Sequence, residues 1–127
     1  MQPEQIQSCI AACNACASAC DECAMRSRHE ANVYAMEDCK ALALDCAQIC
    51  RMAVNYLERG RPTAAAICKA CVDICERCLA ECDKYQMDYC RACAETCHDC
   101  AEECRSLIVC EAQEAHSHDS VLAGLRQ

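Results

Sequence analysis

The chain has 127 residues, of which 19 are Cys and 23 are Ala, with no Phe, no Trp, four Tyr, two Gly and two Pro. A net charge of −8, from 20 acidic against 12 basic residues, argues against a nucleic-acid partner, which wants a basic patch. No stretch reaches the roughly 18 apolar residues of a membrane span. Residues 1–5 show neither a basic nor an apolar leader region, so a cytoplasmic, reducing location is expected. Thiols persist there, and an odd number of cysteines cannot all pair within one chain.

Few breakers and abundant Ala predict long helices. In chain order, the first helix covers about 3–26, with Pro3 in its first turn. Ser27 and Glu30 fit a capping box that opens a second helix over about 28–59. Gly60 suits the position after that helix, and Pro62 opens a third over about 62–84. Asp88 caps a fourth over about 88–114. Residues 115–127 lose the pattern and read as a tail, with at most a helical turn at 121–125. Short connections between four long helices predict one all-α domain over 1–114, an up-down-up-down antiparallel bundle.

The cysteine spacing carries the chemistry. The first helix holds Cys9, Cys13, Cys16, Cys20 and Cys23, in steps of four, three, four and three. The third holds Cys68, Cys71, Cys75, Cys78 and Cys82, and the fourth Cys90, Cys93, Cys97, Cys100 and Cys104. At about 100° per residue each set falls within an arc of roughly 80°. The second helix keeps the register with Cys39, Cys46 and Cys50, while Met36, Ala43 and Leu57 take other positions of its stripe. Cys110 lies about 120° off the fourth stripe.

A core chosen for stability would use larger side chains, because each buried methylene adds about 0.8 kcal/mol. Thiols along four inward stripes instead form a tube of soft ligands, suited to Cu(I), Zn(II) or iron–sulfur clusters. Six CxxC pairs are present, among them Cys13/Cys16, Cys75/Cys78 and Cys97/Cys100. Their unbroken helical ladder matches neither zinc-finger nor ferredoxin spacing. Charge decides further. Zinc on four thiolates carries −2 per site, and the stripes supply no Lys or Arg to offset it. One Cu(I) per bridging thiolate leaves the array neutral.

The ladders CNACASACDEC and CRACAETCHDC, with Cys confined to inward stripes over about residues 5–112, resemble the bacterial copper storage proteins. The lack of a leader resembles their cytosolic branch. That resemblance implies a homotetramer of four-helix bundles that holds many Cu(I) ions through Cys thiolates, against copper toxicity and for supply to cuproenzymes. It also implies Met and His ligands at one bundle end, for which Met25, His29, Met36 and Met87 are the candidates. Catalysis is not expected, since no base and open cleft accompany a reactive Cys. A thiol redox switch and a zinc buffer stand as alternatives. His98 falls one position off its stripe and reads as a surface residue. His116 and His118 read as solvated tail histidines.

Overall fold

The computed structural model describes residues 2–125, and side chains over 2–113. Four helices make up the bundle: α1 (Pro3–Ser27), α2 (Glu37–Glu58), α3 (Ala64–Cys82) and α4 (Asp88–Leu125), with a 3₁₀ turn (Val33–Met36) leading into α2. Each packs on two neighbours, α1 on α2 and α4, and α3 on α2 and α4. The result is the square up-down-up-down bundle that the short connections predict.

Local chemistry sets most boundaries. Pro3 and Glu4 sit in the first turn of α1 and Arg26 in its last, each sign opposing the helix dipole. Gly60 has φ of 66°. Its amide donates to the Leu57 carbonyl at 3.2 Å and the Arg61 amide to Tyr56 at 3.3 Å, which is the paired bonding of a Schellman stop. A side chain other than Gly would be strained there.

Three boundaries differ from expectation. Ser27 does not cap a second helix. It ends α1 buried, its hydroxyl donating to the Ala24 carbonyl at 3.0 Å, because it continues the register of Cys23 four residues on. Glu30 is drawn to Tyr89 of α4, so α2 starts later, at Glu37, behind the Asn32 cap whose Oδ1 accepts from the Ala35 amide. The third helix begins at Ala64, with Pro62 in the turn before it. The fourth runs past Glu114 to Leu125. No Gly or Pro interrupts residues 115–123, so nothing stops the helix where the stripe ends.

The core is sulfur and alanine. Eighteen cysteines are 0% exposed, flanked by buried Ala17, Ala24, Ala43, Ala47, Ala53, Ala94 and Ala101. Such small side chains bring the helices close and leave the thiols as the filling.

Candidate metal centre

Each stripe delivers its thiols to the bundle axis, so the sulfurs of four helices meet in one file. Starting at Cys9, sulfur contacts run to Cys104 at 3.6 Å, Cys13 at 4.0 Å and Cys100 at 3.5 Å. The file continues through Cys71 and Cys75 (3.8 and 3.9 Å) to Cys46 and Cys16 (3.6 and 3.7 Å). From Cys16 it passes to Cys20 at 3.9 Å, then to Cys93 at 3.4 Å and Cys78 at 3.8 Å. Cys82, Cys39 and Cys23 complete it at 4.0, 3.7 and 3.7 Å. Cys50 joins at Cys71 and Cys100, and Cys97 at Cys16 and Cys46, all within 3.7–3.8 Å. From Cys9 to Cys23 the file spans about 21 Å of helix rise.

All the cysteines are free thiols. Their contacts are nonbonded, far beyond the 2.05 Å of a disulfide. Among the described residues no Lys or Arg is buried, so none offsets charge in the lumen. Burial pushes the Cys90 thiol up to about 12, because an anion there loses its water. Where one thiol gives its S–H to another, the two separate. Cys23 is pushed up beside Cys39, and Cys39 is held down beside Cys23 and then Cys82.

Groups of four sulfurs lie within 4.8 Å of one another, and the groups overlap. Cys13, Cys71, Cys100 and Cys104 form one group, and Cys71 and Cys100 recur with Cys50 and Cys75. Cys16 and Cys46 serve with Cys50 and Cys75, and again with Cys20 and Cys97. A closed tetrahedral zinc site owns its four ligands. Shared ligands suit instead a soft ion that two or three bridging thiolates satisfy.

The remaining candidates divide. Met36 is 3% exposed and continues the α2 stripe three residues before Cys39. Met87 is half-buried against the core, in the matching place before Cys90. Met25 is 51% exposed and His29 is also exposed, so neither faces the lumen. Cys110 is half-buried outside the sulfur file, its Sγ accepting from Gln5 Nε2 at 3.0 Å. Beside it Gln5 Oε1 and Glu111 Oε2 are buried without a partner. His98 lies on the surface. His116 and His118 fall outside the residues whose side chains are described.

The sequence reading missed the tyrosines around the Met36 end. Tyr89 is buried there, and Tyr85 is half-buried against the core. Tyr85 follows Cys82 by three residues, the spacing of the stripe, which is the signal that marks it.

Comparison with known proteins places this arrangement. The family described as copper storage protein matches residues 2–109. A cysteine-rich protein of Bacillus subtilis, YhjQ, is 41% identical over 83 residues, 65% of this chain and 77% of that one. The Cu(I)-bound copper storage protein BsCsp3 superposes with a TM-score of 0.77 at 40% identity, over 80% of this chain and 96% of that one. A cytosolic copper storage protein from Streptomyces lividans, solved with five coppers, superposes with a TM-score of 0.81 at 31% identity, over 84% and 93%.

Proposed function

The chain belongs to the copper storage protein family, and from that premise we propose that it stores Cu(I) along the bundle axis on its inward thiolates. The observation that carries this is the continuous file of overlapping four-sulfur groups in a lumen where, among the described residues, no Lys or Arg is buried. Each Cu(I) that replaces a thiol proton adds no net charge to that interior. A chain of bridged coppers therefore avoids the cost of isolated buried anions.

The ligands in this reading are Cys9, Cys13, Cys16, Cys20, Cys23, Cys39, Cys46, Cys50, Cys68, Cys71, Cys75, Cys78, Cys82, Cys90, Cys93, Cys97, Cys100 and Cys104. Met36 and Met87 hold ions in transit at their end, because a neutral thioether binds more weakly than a thiolate. Met25 and His29 stand outside the lumen and meet copper before it enters, whereas Cys110 stands outside the sulfur file at the opposite end. The protein acts as a cytosolic reservoir that limits free copper and returns it to cuproenzymes, without a catalytic step of its own. Assembly as a homotetramer is part of the same reading.

X-ray absorption at the copper edge tests it. Loaded protein should give a sulfur-only ligand shell with short copper–copper vectors, because the thiolates bridge. A shell dominated by nitrogen or oxygen, or isolated coppers at full loading, would overturn the bridged array.

A further inference from the structure

We propose that residues 28–36 form a strap across the Met36 end of the lumen, latched by the hydroxyls of Tyr85 and Tyr89, and that its opening sets how fast copper passes. This rests on the storage reading and adds a control to it. The strap joins α1 to α2 and carries little regular structure. Two turn bonds, His29 to Arg26 at 3.1 Å and Glu30 to Ser27 at 3.3 Å, hold its start. The Asn32 cap and the 3₁₀ turn hold its end. Tyr34 on it is 85% exposed, whereas Met36 beside it is buried in the core.

Two hydroxyls tie this segment to the far side of the mouth. Tyr85 Oη donates to the Ala35 carbonyl at 2.8 Å. Tyr89 Oη donates to Glu30 Oε1. The frame beneath is fixed separately. Arg26 stacks over the Tyr89 ring at 4.6 Å and reaches both carboxylate oxygens of Asp88 at 3.2 and 3.3 Å. The end of α1 and the start of α4 therefore stay joined when the latch opens. What moves is the strap, and with it Met36, the side chain that closes the α2 corner of the lumen.

The latch is weak enough to open and strong enough to matter. Losing one such bond shifts an equilibrium about fivefold, and a bond to a carboxylate shifts it further. Releasing both should speed a gated step about tenfold or more. The test uses the full chain with Tyr85→Phe and Tyr89→Phe together, which keeps both rings in the wall. Amide hydrogen exchange on the reduced metal-free protein should rise over 28–36 and stay level over α2 from Cys39 onward. Removal of bound Cu(I) by an excess of a strong Cu(I) chelator should accelerate about tenfold at unchanged capacity. Glu30→Ala, which removes the Tyr89 acceptor without touching the wall, should act in the same direction. Leu57→Ala, at the other end, should lower stability without loosening 28–36. Unchanged exchange in the double variant, or faster exchange with unchanged removal rates, overturns the strap. Failure of the wild-type chain to take up copper would instead remove the storage reading, and the exchange result on metal-free protein tells the two apart.

Discussion

The two ends of the thiol lumen continue the same spacing with opposite chemistry. Beyond Cys9, Cys50, Cys68 and Cys104, the next positions of the four stripes are Ile6, Ala53, Ala64 and Leu107, with Leu57 one step further along α2, all packed into or against the core. Beyond Cys23, Cys39, Cys82 and Cys90 they are Ser27, Met36, Tyr85 and Met87. One end is closed mainly by hydrocarbon, with the half-buried Cys110 thiol bonded to Gln5 outside the sulfur file. The other carries two thioethers and two hydroxyls under a short strap. The thiols between are alike, so the direction of copper traffic is a property of the ends.

Removing the soft ligands at one end should produce the largest effect. Replacing Met25, Met36 and Met87 with Leu and His29 with Ala should slow loading and chelator-driven removal about tenfold, with most of the capacity retained. Met36→Leu and Met87→Leu should account for nearly all of it, because Met25 and His29 point away from the lumen. Stopped-flow loading checks this. Unchanged rates, with slower loading after truncation at Gln113, would move the entrance to the hydrocarbon end.

Stability should respond in the opposite sense. Leu57→Ala and Leu107→Ala each remove a buried side chain from the seal and should cost about 2–4 kcal/mol in the metal-free protein. Met36→Leu conserves volume and should cost less than about 1.5 kcal/mol. Denaturant unfolding of the reduced chains measures both. Equal losses at the two ends would dissolve the distinction between a seal and a passage.

Near the Met36 end, pH should act on the metal-free protein in two windows. Cys90 ionises in the unfolded chain at about 8.5 but in the fold only near 12. Its stabilising contribution is whole below about 8.5 and is lost as pH rises toward 12. Cys39, held below its ordinary value beside Cys23 and then Cys82, contributes above about 8.5 and loses that contribution as pH falls below it. The melting temperature of reduced protein should therefore peak near pH 8–9 and fall on both sides. A melting temperature still rising at pH 10.5 would contradict the desolvated lumen.

What the sequence made legible follows from period alone. Fifteen cysteines on α1, α3 and α4 keep a strict three–four alternation, and only an inward helical stripe satisfies it. Met36 and Leu57 were placed on the α2 stripe by the same arithmetic. The misread start of α2 depends on contacts between distant segments. Ser27 and Glu30 have the spacing of a capping box, but burial of one and the Tyr89 hydroxyl facing the other decide their roles. Met25 and Met36 belong to segments that share one bundle mouth, but Met25 on α1 is exposed whereas Met36 is buried.

The smallest effect concerns α2, which carries three thiols where its neighbours carry five. Ala43 sits at a vacant rung, fully buried. Ala43→Cys should raise capacity by about one Cu(I) per chain, and a variant that folds with unchanged capacity would show that this rung does not face the array.

The most direct test is an anaerobic titration of the reduced chain with Cu(I) against a competing chelator, repeated with Zn(II) and followed by proton release. Eighteen thiols sharing one lumen should take up more than ten Cu(I) per chain, hold copper far more tightly than zinc, and expel protons as copper binds. A plateau at four or five metals with zinc preferred, or copper uptake with no proton release, would contradict storage on a bridged thiolate file.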